Sequence, residues 1–370
     1  MTKAVFISDP SFWQAGHGLF HPLKPERLKR THDLLHAYHA FDAENSRLIS
    51  PRMATDEELL SFHTPAYVDA VKRLSRGEVT VNPWRYNLGP GDNPVFPRMY
   101  ETEALKVGGA LIAAELVVSG QADVAFNYAG GLHHAAPDHA FGFCVFNDPA
   151  IAIHWLLRQG LRAAYIDIDV HHGDRVQNAF YDSDQVLTIS LHESGRYLFP
   201  GTGFTYETGT GKGKGYAVNV PLPPDTDDES YVWAFQRVVI PLVKRFAPDV
   251  VVSQLGTDTH FKDPLAHLLL SSAGYVAVVK TIKELAPRWV ALGGGGYDVT
   301  VVPRLWTLAY GVMSGQEFPD ELPVAYAKAY EGGTLCDHQV PVLPESERYA
   351  VRRRVESVVA ELEKMFQIAS

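Results

Sequence analysis

The stretch from Ala163 to Asp174 reads AAYIDIDVHHGD, an apolar run whose last eight residues hold three aspartates and two histidines. Burying that many charged groups without partners costs far more than the flanking apolar residues offset. Side chains alternate along a strand, so residues two apart lie about 6–7 Å apart on one face. On that spacing Asp167, Asp169 and His171 project together, opposite Ile166, Ile168 and Val170. Two carboxylates and an imidazole on one face suit zinc and related divalent ions. A further ligand must come from elsewhere. Asp258 in GTDTH, just past the apolar run DVVVSQL, is the best placed, leaving an open position for water and substrate. The alternative is a structural ion-pair cluster, but no Lys or Arg interrupts the stretch to neutralise it. Asp258 taken alone would equally suit a turn or a helix cap.

His133 and His134 stand side by side after a glycine turn in GGLHH. Histidines are commonly satisfied core or surface residues. Beside a metal centre, however, a histidine held by a carboxylate can take a proton from activated water and return it later. Asp167 and Asp174 are the available carboxylates. GGGGYD lacks the Lys-Ser/Thr of a phosphate loop, and GTGKGKGY fails the same pattern because glycine follows each lysine. These glycines serve tight turns, and the first run delivers Tyr297, whose hydroxyl would stabilise a tetrahedral oxyanion. Cys144 fits a small buried thiol better than a nucleophile. His260, two residues past Asp258, is expected either to touch the rim of the site or to be solvated.

Such motifs converge only if a scaffold brings them together. GGLHH follows VAFNY, DVHHGD follows AAYIDI, SLHE follows VLTI, GTDTHFKD follows VVVSQL and GGGGYD follows WVAL. These β-branched runs alternate with helix-like segments such as DPAIAIHWLLRQG, SSAGYVAVVKTIKEL and VTVVPRLWTLAYGVM. Alternation of this kind predicts a parallel sheet covered by helices on both faces, with ligands at the carboxyl ends of the strands. Ahead of it lies a mostly helical region, with PERLKRTHDLLHAYHAF and a capping box from Thr55 to Glu58. Glu317 to Glu347 reads as a Pro- and Gly-rich peripheral excursion, and ERYAVRRRVESVVAELEKMF as a closing amphipathic helix. No linker, charge block or repeat divides the chain, so residues 1–370 are expected to form a single catalytic domain.

The formal net charge of -10, without any basic run, argues against binding nucleic acid or an anionic membrane and favours neutral or cationic substrates. Two cysteines in no metal or redox spacing suit a reducing cytoplasm. The first residues lack the features of a signal peptide, and the apolar stretch VGGALIAAELVV is broken by Glu115 and too short to span a bilayer. A soluble cytoplasmic protein is the expectation, with no indication of its oligomeric state.

Six ordered motifs, GGLHHA, GFCVFND, DIDVHHGD, SLH followed by FPGTG, GTD, and LGGGGY, resemble the zinc-dependent histone deacetylase family from about Pro22 to Gly311. The likeness is strongest to its class I enzymes and to bacterial acetoin utilization proteins and histone-deacetylase-like amidohydrolases. The resemblance implies the α/β arginase/deacetylase fold, with a central parallel sheet of about eight strands and helices on both faces. It implies removal of acetyl groups from N-ε-acetyl-lysine in proteins or peptides by metal-activated water. One zinc would be held by Asp169, His171 and Asp258. His133 and His134, contacting Asp167 and Asp174 respectively, and Tyr297 would be catalytic. Phe143 and Phe199 match tunnel walls, Gly142 lies between the histidine pair and the wall, and Leu265 matches a rim aliphatic. Asp92 resembles a rim aspartate that holds substrate backbone, and Arg27 the arginine of an inner acetate-release cavity. A structural potassium ion would use Asp167, Asp169, His171, Ser190 and Leu191, with His171 and Leu191 binding through main-chain oxygen. A second would use Phe180, Ser183, Val186 and Tyr216. Ureohydrolases of the same fold need a second metal, built with a carboxylate two residues after the histidine; Gly173 stands there, against a dinuclear site. Two other readings stay open. One is an acetylpolyamine or other small-acetylamide amidohydrolase, which Leu265 disfavours because an acidic residue there would better select a charged amine. The other is a catalytically silent binding protein.

Overall fold

The computed structural model describes residues 2–18 and 20–368. One parallel sheet runs through it, built from β1 (Ala4–Ile7), β2 (Ser46–Ile49), β3 (Val124–Asn127), β4 (Ala163–Asp167), β5 (Val186–Glu193), β6 (Ala217–Leu222), β7 (Val250–Gln254) and β8 (Trp289–Leu292). The spatial order is β2-β1-β3-β8-β7-β4-β5-β6, and every pairing is parallel.

Alternation along the strands divides the core in two. Phe6, Ala164, Ile166, Val251, Trp289 and Ala291 pack on one face with helices Glu26–Ala37, Asp228–Phe246, Ser272–Leu285, Val302–Ser314 and Glu345–Phe366. Val5, Ile7, Ala163, Tyr165, Val250, Val252, Val290 and Leu292 pack on the other, against helices Met99–Val118 and Asp148–Arg158. Burial on both faces explains why these strands read as continuous apolar runs. The closing helix does bury one stripe, with Val351, Val355, Val359, Leu362 and Phe366. The capping box is also formed, with the Thr55 hydroxyl accepting from Glu58 N–H and the Glu58 carboxylate from Thr55 N–H.

Three strands depart from the sequence reading. The amino-terminal region is not simply helical: β1 and β2 lie within it, four residues each. β2 is an edge strand, SRLI, whose Arg47 is exposed and hides any apolar run. β6, AVNVPL, carries Pro221, which argues against a central strand but is tolerated at the opposite edge.

Register sets the site. Asn127 is level with Leu292, Leu292 with Gln254, Gln254 with Asp167 and Asp167 with Ser190. β3, β8, β7 and β4 therefore end level, while β5 continues past Ser190 to Glu193, and the segments that follow the four level strands meet over that edge.

Candidate active site

β4 ends at Asp167, and the next residues leave the sheet carrying Asp169 and His171, while Asp258 follows β7. His171 Nδ1 lies 3.0 Å from Asp169 Oδ1 and 3.1 Å from Asp258 Oδ2. One ligand atom from each side chain falls within 4.8 Å of the others, the one group of this kind among the described residues. Other groups orient the carboxylates. Gly295 N–H donates to Asp169 Oδ2 at 2.7 Å, and Val170 N–H to Asp258 Oδ1 at 2.8 Å. A Cβ at Gly295 would stand 2.0 Å from Asp258 Oδ2 and 2.8 Å from Asp169 Oδ2, so only glycine lets this turn close over the pair. Burial, then the charge of Asp169, raises the Asp258 carboxyl to about 8. Burial works against charge on His171, but its bonds to Asp169 and Asp258 and their charges outweigh it and lift the imidazole to about 10. Two buried carboxylates crowded on one imidazole hold protons between them, in a place a metal cation could take instead. The donor set and its spacing thus fit a divalent metal.

The tandem histidines sit behind this cluster. His133 Nδ1 is 2.8 Å from Asp167 Oδ2, His134 Nδ1 is 2.8 Å from Asp174 Oδ1, and the two Nε2 atoms are 3.0 Å apart. One hydrogen lies between those Nε2 atoms, so one ring donates and the other accepts. Electrostatics decides which. Burial opposes charge on both rings. At His133 the charges of Asp167 and Asp169, the bond to Asp167 and the charge of Asp174 prevail and raise it to about 9. At His134 burial and the charge of His133 prevail over Asp174 and hold it at about 4. His133 is therefore the charged donor. His134 is neutral, giving its Nδ1 proton to Asp174 and accepting at Nε2.

Asp92, Gly142, Phe143, Phe199, Leu265 and Tyr297 line a cleft of about 240 Å³ whose inner end holds His134 and His171. Gly142 has φ +50, and a Cβ there would come within 2.6 Å of the His134 ring. Phe143 follows at φ 69, a left-handed conformation that costs a non-glycine residue about 1 kcal/mol and aims its ring across the cleft at Tyr297, 5.7 Å away. Tyr297 N–H donates to Asp263 Oδ2 at 2.8 Å, and the ring lies 6.3 Å from that of His171. Burial and the nearby Asp258 and Asp169 charges hold its hydroxyl well above the usual tyrosine value, so it remains a donor. Arg27 does not line the cleft. It lies buried beneath the glycine turn, its Nη1 donating to Gly294 O at 2.7 Å and Gly296 O at 3.2 Å.

Asp167, the last residue of β4, is level with Ser190 within β5, Leu191 follows, and the Ser190 hydroxyl lies 2.8 Å from His192 Nδ1. Phe180, Ser183, Val186 and Tyr216 are grouped elsewhere, around the turn into β5: Ser183 N–H bonds Phe180 O, and Thr188 N–H bonds Tyr216 O. Val186 opens β5, so this group lies at the amino end of the sheet. His260 is neither at the rim nor solvated. It is 1% exposed and bonds Asp337, across 77 residues. Cys144 is buried, and burial pushes its thiol far up, consistent with an inert side chain.

Several supports escape sequence reasoning. Gln254, the last residue of β7, bonds Asp169 Oδ2 through Nε2 and accepts Gly256 N–H at 2.8 Å. A polar residue closing an apolar strand was the available signal. Asp148 accepts Gly131 N–H and Leu132 N–H, both at 2.9 Å, fixing the turn before the histidines. His17 Nε2 lies 3.1 Å from Phe143 O, and His21 Nε2–H donates to Asp92 O at 3.1 Å, which ties the rim to the amino-terminal loop.

Residues 21–313 match the family model described as the histone deacetylase domain. The chain is 43% identical over 340 residues to the acetoin utilization protein AcuC of Bacillus subtilis (strain 168), covering 89% of this chain and 87% of that protein. It is 38% identical over 363 residues to histone deacetylase clr6 of Schizosaccharomyces pombe, covering 97% and 88%. Among solved structures, an HDAC homolog from Aquifex aeolicus superposes with a TM-score of 0.87 at 36% identity, covering 96% of this chain and all of that one, and a complex of an HDAC homolog with SAHA superposes equally well. The eight-stranded sheet is thus that of the arginase/deacetylase fold. A family model spanning most of the chain, and relatives this similar over nearly its whole length, carry one conclusion: the chain belongs to the histone deacetylase family of metal-dependent hydrolytic deacetylases.

Proposed function

We propose that this chain is a zinc-dependent deacetylase acting on N-ε-acetyl-lysine in proteins or peptides, with Asp169, His171 and Asp258 holding one zinc ion. When bound, zinc supplies a Lewis acid that lowers the pKa of water and polarises a carbonyl. The protein does the rest. Phe143 and Phe199 flank the aliphatic chain of the substrate, while Asp92 and Leu265 meet what lies outside the cleft. Tyr297 donates its hydroxyl to the amide oxygen as that oxygen gains charge. His134, neutral and lining the cleft, takes the proton of the attacking water at Nε2 once that atom turns from His133, whose proton it otherwise accepts, while Asp174 holds the ring by Nδ1. His134 then delivers that proton to the leaving nitrogen. His133 does not line the cleft and acts through His134 across the 3.0 Å Nε2 contact, charged and held by Asp167. The single observation that carries this reading is the convergence of the Asp-His-Asp cluster, the Asp174-held His134 and Tyr297 on one narrow apolar cleft.

Asp92, exposed at the mouth, would also welcome a cationic small amine, which keeps acetylpolyamines as the rival substrate. Leu265 at the same mouth favours a peptide. Initial rates on acetylputrescine and on an acetyl-lysine peptide decide between them, and a higher kcat/KM on acetylputrescine overturns the peptide reading. We further assign structural potassium to Asp167, Asp169, His171, Ser190 and Leu191, and a second ion to Phe180, Ser183, Val186 and Tyr216. Residues 1–370 act as a single catalytic domain in the cytoplasm on this reading. No helix among the described residues is long and apolar enough to cross a membrane.

A further inference from the structure

The excursion from Glu317 to Glu347 is not merely peripheral, because one of its residues reaches the loop that carries Asp258. Asp337 accepts at Oδ2 from His260 Nε2 and from Ser272 N–H, both at 2.8 Å, and at Oδ1 from Arg304 Nη2 at 3.0 Å. Its own N–H donates to Ser272 Oγ at 2.8 Å. His260 Nδ1 accepts Lys262 N–H at 3.1 Å, so the ring proton sits on Nε2 and points to Asp337. With both nitrogens engaged, His260 has none left for a metal or a substrate. It is a tie.

The tie leads to both sides of the site. Asp263 N–H bonds His260 O at 2.8 Å, and the Asp263 carboxylate holds Leu265 N–H at 3.0 Å and Tyr297 N–H at 2.8 Å. Arg304 lies in the helix that follows the Tyr297 turn and also grips Leu335 O at 3.1 Å. One buried carboxylate therefore joins the loop bearing Asp258 and Leu265 to the helix behind Tyr297. We propose that Asp337, acting through His260 and Arg304, is a positioning residue that sets Asp258 and Tyr297 relative to each other. This rests on the roles given above to those two residues. Truncating the carboxylate leaves three buried donors without their acceptor, and the strain they impose falls on the two loops that the chemistry needs in register.

The test uses the full chain, metal-quantified, with Asp337→Ala, Asp337→Asn, His260→Ala and the double alanine variant. Asp337→Ala and His260→Ala are each expected to lower kcat on an acetyl-lysine peptide by about ten- to a hundredfold with KM little changed. The double variant should be no worse than the worse single one, and Asp337→Asn, which keeps an acceptor oxygen, should recover most of the loss. Wild-type kcat in folded Asp337→Ala overturns the proposal, and so does a lowered melting temperature with unchanged kcat well below it. Hydrogen–deuterium exchange reads the same claim without catalysis: peptides covering 256–265 and 294–300 should exchange faster in Asp337→Ala while β1 and β3 do not change. Unchanged exchange there overturns the positioning role, whereas absence of deacetylation by the wild type counts against the functional reading alone.

Discussion

Tyr297→Phe removes a single oxygen atom from the cleft. The main chain at this position is anchored by Asp263, the ring packs 5.7 Å from Phe143, and no hydrogen bond among the described residues uses the hydroxyl. Phenylalanine preserves all of these contacts, so the change in folding free energy should stay within about 0.5 kcal/mol. The metal ligands do not depend on the hydroxyl either, and zinc content should equal that of the wild type. What is lost is a donor that stays protonated because burial and the charges of Asp258 and Asp169 hold its pKa high. Removing one such donor costs about 3 kcal/mol in the transition state, a little over two decades in rate. Initial rates at saturating acetyl-lysine peptide, with elemental analysis and a melting curve on the same preparation, should show kcat down about a hundredfold and KM nearly unchanged. The shape of the pH profile should not move, because the His133–His134 pair is untouched. Wild-type turnover in a zinc-loaded Phe variant would remove Tyr297 from the mechanism.

Three further perturbations address the ligands and the proton path. His171→Ala leaves Asp169 and Asp258 facing each other without the third donor, so elemental analysis should find the purified variant without zinc; full zinc content would refute the ligand set. Gly295→Ala places a Cβ 2.0 Å from Asp258 Oδ2, and chelator competition should show metal affinity weakened at least about tenfold, whereas unchanged affinity would mean the turn is not the constraint described. Catalysis needs His134 neutral and His133 charged, so kcat/KM should fall as pH drops through about 4, where His134 gains a proton, and again as pH rises through about 9, where His133 loses one. Asp167→Asn removes the foremost charge holding that proton on His133, so the basic limb should move to lower pH, and a limb that stays in place would sink the assignment.

Much of the site was written locally in the chain. Period-two spacing placed Asp167, Asp169 and His171 on one face, and the structure keeps them within one cluster, although Asp167 turns to His133 and the third donor beside His171 comes from Asp258. Asp258 could be found because parallel strands deliver their following residues to one edge. The supports were harder to see, for a physical reason. Gln254 reaches Asp169 across 85 residues, and His260 reaches Asp337 across 77, so no local pattern joins either pair. His260 carried neither hydrophobic periodicity nor a motif to announce its burial. β2 was missed because exposed Arg47 interrupts its apolar positions and β6 because it contains a proline, whereas β1, AVFI, is as apolar as the equally short β3 and β8 but stands apart from the strand–helix alternation that marked those.

The charge balance of the centre closes the question raised by so many acidic residues in an apolar run. Asp167, Asp169, Asp174, Asp258 and Asp263 are all at least nine-tenths buried around His171. Against these five carboxylates stand Arg27 beneath the glycine turn, Arg175 with Nε 3.2 Å from Asp174 Oδ2, and His133, charged by its surroundings. Three cations leave an excess of two negative charges, which explains why a proton is drawn so strongly to His171 and why the Asp258 carboxyl is raised. A structural ion-pair cluster would need that excess matched by lysine or arginine, and none is paired with Asp169 or Asp258, whose recorded ion-pair partner is His171 alone. One divalent cation held by Asp169, His171 and Asp258 would supply that charge where the donors converge. Without it, that excess is met by protons held on His171 and Asp258, the two groups that a divalent cation bound there would deprotonate.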